Sequence, residues 1–361
     1  MEREKINTGR QPEFDLAKVI AVFFMIIIHV ADQMGTVMGT QGAFPVLLDL
    51  IGGPLAAPVF MFAMGVGMVY TRHDAPEEFA KRGLRLLLAG YVLNFFRETI
   101  LILIAHVCAV ETTYDKSIID TIGTVDILQF AGMTFLLVAL LKRIGAGPAA
   151  IFAAAVIMQA AGSLANGMFD SMPKAAQYLL GLLFFTNDAV SFPALLWFIY
   201  PAAGIVFGNM LQRVKDKDAF YAKVMLAGVI AFAAVTAATI AAKLDLLSYF
   251  TGADYYGQNL FSSMWILSIV LVFMGICYAV SNRIPEQAAE RIKIISAQVN
   301  TIYIIQWLLI TYVIAVKELI GAGHVADAWV VPVGILMAVA SILLAEVYTG
   351  IFKKKKMNQT R

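Results

Sequence analysis

The segment 14–30, FDLAKVIAVFFMIIIHV, decides the fold class of this chain of 361 residues. It is almost wholly apolar, and a helix of about 20 such residues spans a hydrocarbon core roughly 30 Å thick. His29 lies near its end. Placing an ionisable side chain in lipid costs free energy, so such residues usually have polar partners or a functional role. The segment therefore predicts a membrane helix that carries a polar group at depth.

The whole composition agrees with a membrane protein. Hydrophobic residues make up 60% of the chain and charged residues 14%, and the mean hydropathy is +0.78. These values lie outside the balance of a soluble globular domain. A net charge of +2 gives no indication of a nucleic-acid partner, and the sequence has no zinc motif or glycine-rich phosphate loop, so we expect no nucleic acid and no metal. The two cysteines lie in apolar runs and are interpreted as packing residues.

Further apolar runs follow along the chain, and together with the first they predict an all-α polytopic membrane protein of about ten transmembrane helices. A shorter run at 175–185 leaves an eleventh open. Lys and Arg concentrate in alternate loops and at both ends, which by the positive-inside rule places both termini in the cytoplasm. A crossing at 175–185 would break that pattern, so we place it at the outer interface or in a re-entrant loop. The ten runs lie near 14–31, 46–70, 84–108, 119–141, 147–166, 191–212, 220–242, 259–281, 292–316 and 328–352.

No polar connection is long enough for a soluble domain. We therefore predict one membrane domain over 1–361, surrounded by membrane lipids. Residues 1–13 form a cytoplasmic tail, and residues 353–361 form a second, basic one.

Three ionisable residues share one predicted depth. The helical rise of about 1.5 Å per residue puts His29, Arg97 and Asp126 in the outer half of the membrane. Asp32 follows His29 by three residues and lies on the same helix face. Alternatively, Arg97 and Asp126 only neutralise each other, and His29 is structural. Because several such groups at one depth usually line a cavity or pathway, we favour a functional site.

A second polar layer lies at the predicted cytoplasmic face, where basic residues cluster at the inner ends of the first three spans. Guanidinium groups make bidentate contacts with phosphate, so the cluster is suited to a phosphorylated anion. Positive charge is also required here for topology alone, and the charges by themselves favour that explanation. The candidate binding residues are Lys18, Arg72, Arg82 and Arg85.

Several motifs resemble one family. Lys18 and His29 have ten residues between them, and Arg82 and Arg85 have two. Four longer segments look like further spans of that family: APVFMFAMGVGMVY at 57–70, VDILQFAGMTFLLVALL at 125–141, FPALLWFIYPAAGIVFGNML at 192–211 and NTIYIIQWLL at 300–309. Together they resemble the acyltransferase-3 group, within the membrane acyltransferase superfamily that includes heparan glucosaminide N-acetyltransferase-like proteins.

Two positions depart from the family's pattern. Lys18 replaces the family's arginine before the first-span histidine, which keeps the charge but loses the planar fork. Gln306 stands where many relatives have a histidine.

The resemblance implies transfer of an acyl group, commonly acetyl, from cytoplasmic acyl-CoA to a hydroxyl or amine of an extracytoplasmic glycan or lipid-linked acceptor. His29 would be the general base, oriented by Asp32 or Asp126. Arg97 would either stabilise the oxyanion or pair with Asp126. The CoA phosphates would bind at Lys18, Arg72, Arg82 and Arg85.

Several alternatives stay open. Transfer is either direct or through an acyl-histidine. The rival functions are a non-enzymatic carrier of an anionic or lipid-linked substrate and an inactive relative. The family favours a bacterial cytoplasmic membrane, and the oligomeric state is open, with a homodimer among the alternatives. Aromatic residues of the outer loops are candidates for stacking on a sugar, although interfacial aromatic belts are the commoner explanation; these are Tyr114, Tyr249, Tyr255, Tyr256 and Trp329.

Overall fold

The structure is a computed structural model that describes residues 5–36, 42–108, 117–185, 190–252 and 255–359, with side chains to residue 351. Over these ranges the chain is helical, with two isolated β-bridges and no strand. The helices are α1 (Pro12–Met34), α2 (Ala43–Leu55), α3 (Ala57–Val69), α4 (Pro76–Asn94), α5 (Ile100–Val107), α6 (Ile118–Gly123), α7 (Ile127–Arg143), α8 (Pro148–Leu164), α9 (Lys174–Leu180), α10 (Ala194–Trp197), α11 (Ile199–Leu211), α12 (Lys217–Ala241), α13 (Leu260–Ser281), α14 (Glu286–Ser296), α15 (Val299–Leu319) and α16 (Asp327–Gln359).

The predicted all-α membrane class is confirmed. Among the described residues, eight helical stretches are long and apolar enough to cross a membrane. Two other predicted spans correspond to α7 and α8, which have 17 residues each. The run at 175–185 contains only the seven-residue helix α9, whose length of about 10 Å is too short for a crossing.

The predicted span 119–141 is wrong in one respect, because it is two helices with a break between them. The break is built by a capping box in which Asp126 accepts from the first backbone N–H groups of α7, while the side chain of Gln129 accepts from the Asp126 N–H at 3.2 Å. On the other side, the Asn94 amide donates to the carbonyls of Ile122 (3.0 Å) and Thr124 (2.7 Å). These bonds satisfy backbone groups that the break frees.

A π-helical turn, Phe95–Thr99, joins α4 to α5. It contains Arg97 and Glu98, which are 3% and 8% exposed. Neighbouring residues of a regular helix point about 100° apart, so burying both charged groups is helped by the wider turn. Such turns are common at functional sites.

Helix α1 lies at the centre and packs against α2, α3, α13, α14, α15 and α16. Beside it, α3 and α11 approach closely through glycines. A Cβ at Gly65 would overlap the carbonyl of Pro201, and one at Gly204 would overlap the carbonyl of Phe62. Small residues of this kind allow membrane helices to pack backbone against backbone. The contact fixes α3, which together with α1 lines both cavities described next.

Candidate active site

A cavity of about 950 Å³ opens at the carboxyl-terminal half of α1, and we call it the large cavity. Its walls come from α1, α2, the π-helical turn, the α6–α7 break, α9 and α15. His29, Asp32, Arg97 and Asp126 all line it. The structure therefore brings the four predicted catalytic residues together in one place.

His29 is held from two sides by α15. Its Nδ1 lies 3.2 Å from the Oε1 of Gln306, and its ring stacks on Trp307 with centroids 4.1 Å apart at an interplanar angle of 30°. An amide oxygen only accepts hydrogen bonds. Nδ1 therefore carries the proton in this arrangement, and Nε2 has the free lone pair.

The orienting contact on His29 comes from Gln306 and not from Asp32 or Asp126. Neither carboxylate forms a hydrogen bond with the imidazole among the described residues. Gln306 is fully buried, although the sequence marked it only as a departure from the family's pattern.

The guanidinium of Arg97 forms ion pairs with two carboxylates. Its Nη1 donates to the Oδ2 of Asp126 at 3.2 Å, and its Nε lies 3.2 Å from the Oε1 of Glu98. The guanidinium also lies 4.4 Å from the centre of the Trp307 ring, so the indole contacts both Arg97 and His29. Of the two roles predicted for Arg97, the geometry favours pairing with Asp126.

The large cavity has an acidic lining. Among the described residues, five carboxylates and two cations line it, namely Asp32, Asp49, Glu98, Asp120, Asp126, Arg97 and Lys174. Lys174 pairs with Asp120 at 3.0 Å, and Arg97 pairs as described. Burial, followed by the nearby charges of Asp32, Asp126 and Asp49, raises the pKa of Tyr256 above its usual range. Tyr256 is therefore a neutral hydroxyl facing an acidic space.

Two of the predicted sugar-stacking aromatics, Tyr255 and Tyr256, line the large cavity. Tyr255 is fixed by donating its hydroxyl to the carbonyl of Gly53 at 2.8 Å. Tyr249 is buried in the core instead, and Trp329 is 64% exposed. Tyr114 lies outside the described residues.

A second cavity, of about 510 Å³, lies at the amino-terminal end of α1, and we call it the small cavity. Lys18 and Arg72 line it, whereas Arg82 and Arg85 do not. These two arginines are exposed on α4, and the Arg82 guanidinium lies 4.6 Å from the ring of Phe135. The predicted phosphate-binding set is thus divided between two places.

The small cavity also contains residues that the sequence analysis missed. Asp15 is buried and accepts two hydrogen bonds from Arg10, at 2.5 and 3.0 Å, and one from Ser296 at 2.6 Å. Lys18 lies 3.7 Å from the same carboxylate. The i, i+3 spacing of Asp15 and Lys18 was the available signal. Within the described ranges, the lining therefore has three cations, Arg10, Lys18 and Arg72, and one carboxylate.

The two cavities are separate but close. On α1 the small cavity ends at Lys18 and the large cavity begins at Met25, a distance of about 10 Å along the helix. Ala21 lies in this interval and is fully buried.

A family model described as "Acyltransferase domain" matches residues 11–347 of the chain. This range includes both cavities apart from the first residues of the small one. The resemblance predicted from the motifs is confirmed over nearly the whole chain. No curated protein and no solved structure gives a significant match.

Proposed function

Since the chain belongs to the acyltransferase family, we propose that this integral membrane protein transfers an acyl group, commonly acetyl, from acyl-CoA to a hydroxyl or amine of a glycan or lipid-linked acceptor. The observation that carries the proposal is the opposite charge of the two cavities that α1 connects. One lining is rich in cations and the other in carboxylates. An anionic donor and a neutral or cationic acceptor each have a matching site.

The donor would bind with its phosphates at the small cavity. Lys18 and Arg72 supply the charge, and guanidinium groups bind phosphate in bidentate fashion. The pantetheine arm would extend between α1 and α3, past Ala21, and present the thioester near His29. Binding would require the packed interval between the cavities to open.

The acceptor would occupy the large cavity. Carboxylates and tyrosine hydroxyls can hydrogen-bond to sugar hydroxyls, and aromatic faces such as Tyr255 provide apolar contact. The same carboxylates repel a polyanionic acceptor. We therefore propose an uncharged or amine-bearing polyol as the acceptor.

In the proposed reaction, the acceptor oxygen or nitrogen attacks the thioester carbonyl carbon while the Nε2 of His29 takes its proton. The carbonyl π electrons move to oxygen and then return as the carbon–sulfur bond breaks. The imidazolium gives its proton to the leaving thiolate, which releases CoA thiol. Gln306 holds the tautomer that leaves Nε2 free, and the Trp307 ring holds the imidazole plane.

Sidedness is part of the proposal. The small cavity would face the cytoplasm, where acyl-CoA is made, and the large cavity would face the opposite side of a bacterial cytoplasmic membrane. This arrangement agrees with the distribution of Lys and Arg in the loops.

The test begins with thermal unfolding of the detergent-purified protein in acetyl-CoA, CoA and ATP. We expect saturable stabilisation by the CoA compounds, because a ligand that binds only the folded state stabilises it. The stabilisation should be lost in Lys18→Ala/Arg72→Ala and retained in Lys223→Ala, an exposed cation on α12. Arg82→Ala/Arg85→Ala tests whether those two arginines take part.

The second measurement is acceptor-dependent release of CoA thiol from acetyl-CoA, with polyols and amino sugars as acceptors. His29→Ala should bind CoA normally and release none. No stabilisation of the wild-type protein by CoA would refute the proposal in favour of a carrier or an inactive relative. Transport of an acceptor without thiol release would identify the carrier.

A further inference from the structure

The segment before α1 is bound to the rest of the protein, although the sequence predicts a tail over 1–13. The backbone N–H of Ile6 donates to the carbonyl of Gln212 at 2.7 Å. The side chain of Asn7 donates to the carbonyls of Leu211 (3.0 Å) and Val214 (2.5 Å). The segment therefore ties itself to the turn between α11 and α12.

A second group of contacts fixes the point where this segment enters α1. Lys217 donates to the side chain of Gln11 at 2.9 Å and pairs with Glu13 at 2.7 Å. Tyr221 donates to the same carboxylate at 2.9 Å. Glu13 is only 1% exposed, and a buried carboxylate paired in this way is costly to displace. The segment and the start of α1 are held as one unit against α12.

This segment is also a wall of the small cavity. Residues 8–11 line it together with Arg72, which lies in the chain that follows α3. Arg10 uses Nε and Nη2 to bind Asp15, and Nη2 also donates to the carbonyl of Lys293 at 3.0 Å. Its Nη1 makes no hydrogen bond within the described ranges, and its side chain is 46% exposed. Arg10 is thus held in place with one donor group still available.

The free donor group of Arg10 shares the small cavity with two further cations, because Lys18 and Arg72 also line it. An anion in the cavity would balance this charge and supply an acceptor for the free Nη1.

We propose that Arg10 is a donor-binding residue of the small cavity, and that docking of residues 6–11 on the α11–α12 turn holds it there. The inference rests on the proposed function, since it takes the phosphates of acyl-CoA as the anion. It assigns donor affinity to a segment that sequence analysis interprets as a tail.

The test compares Arg10→Gln, Arg10→Lys, Asn7→Ala and, as a matched control, Lys5→Ala, an exposed cation of the same segment. The measured quantities are kcat, KM for acetyl-CoA, and the affinities for CoA and for pantetheine, which lacks the phosphates. We expect Arg10→Gln to raise KM and weaken CoA binding about tenfold, because a charge-assisted bond is lost. Its kcat and its pantetheine affinity should stay within about twofold of wild type.

Arg10→Lys should give an intermediate KM, since it keeps the charge without the fork. If Arg10→Gln does not fold, Arg10→Lys is the variant that tests the proposal. Asn7→Ala should raise KM in the same direction, although Asn7 does not line the cavity, and Lys5→Ala should leave it unchanged.

Failure of the Arg10 assignment can be distinguished from failure of the proposed function. If the wild-type protein transfers acetyl groups and Arg10→Gln and Arg10→Lys keep the wild-type KM and CoA affinity, the Arg10 assignment is overturned while the proposed function stands. Equal weakening of CoA and pantetheine binding would also overturn it, because the effect would not concern the phosphates. If wild-type protein neither binds CoA nor transfers, both proposals fall together.

Discussion

Arg97→Met is expected to destabilise the protein far more than Asp126→Asn, although the two side chains are partners. In the native cluster one guanidinium faces the carboxylates of Asp126 and Glu98, so the net charge is minus one. Arg97→Met removes the cation that these two carboxylates share, whereas Asp126→Asn leaves the Arg97–Glu98 pair in place. Removing one partner from a buried ion pair costs about 3–5 kcal/mol, and we expect Arg97→Met to fall in that range.

The Asp126→Asn variant is expected to lose much less stability than Arg97→Met. Asparagine is as good an N-cap as aspartate, so the start of α7 should be retained. The loss is confined to one charge-assisted hydrogen bond that becomes a neutral one, about 1 kcal/mol. In the double variant only one of these two carboxylates remains, so the destabilisation should be smaller than the sum of the two single effects by about 1–2 kcal/mol.

The assay is the free energy of unfolding in mixed micelles, measured by titration with a denaturing detergent and followed by tryptophan fluorescence and helical circular dichroism. Arg97→Lys is the control, since it keeps the charge and loses the bidentate geometry, and it should lie between wild type and Arg97→Met. Equal destabilisation by Arg97→Met and Asp126→Asn, or strict additivity in the double variant, would refute the charge balance described for this cluster.

Three further predictions concern packing and orientation. Gly65→Ala should lower stability by about 1–3 kcal/mol through overpacking against α11, whereas Gly67→Ala, which has open space around it, should not; equal shifts in melting temperature would contradict the close approach. Gln306→Leu should lower kcat about tenfold, equivalent to about 1.4 kcal/mol for one orienting bond, with KM for acetyl-CoA unchanged; an unaltered kcat would show that His29 is oriented by other contacts. Asn94→Ala should remove the side-chain donor of the Ile122 carbonyl and one of the two donors of the Thr124 carbonyl, which keeps that of Gln129, and cost about 1–3 kcal/mol. The loss should be visible as faster hydrogen exchange over 118–126; unchanged protection there would argue against this role.

The sequence predicts the spans well because burial in lipid demands long apolar runs, and it predicts the large cavity because helical rise converts residue number into depth. It does not reveal the break before α7. In a continuous helix the i, i+3 spacing of Asp126 and Gln129 would place both on one face, whereas in the structure the same spacing forms a capping box. Both patterns share that spacing, and only the path of the backbone separates them.

Other features depend on contacts between distant parts of the chain. The π-helical turn has no sequence motif of its own and is recognised only from the backbone of the structure. It contains both Arg97 and Glu98, and both are buried. Arg10 was missed because a cation just before a first membrane helix is explained by topology alone. Its role depends on the turn between α11 and α12, about 200 residues away, which no local pattern can indicate.

The presence of both cavities on α1 means that this helix acts as a ruler. Lys18 and His29 are joined by continuous helix, so their Cα atoms are held about 16 Å apart by helical rise, and no hinge in the described helix can shorten the interval. Under the proposed function, a donor is selected by the length of its arm as well as by its affinity. A molecule that fills the small cavity tightly but carries its acyl carbon on a shorter arm would occupy the protein without reacting, and would act as an inhibitor.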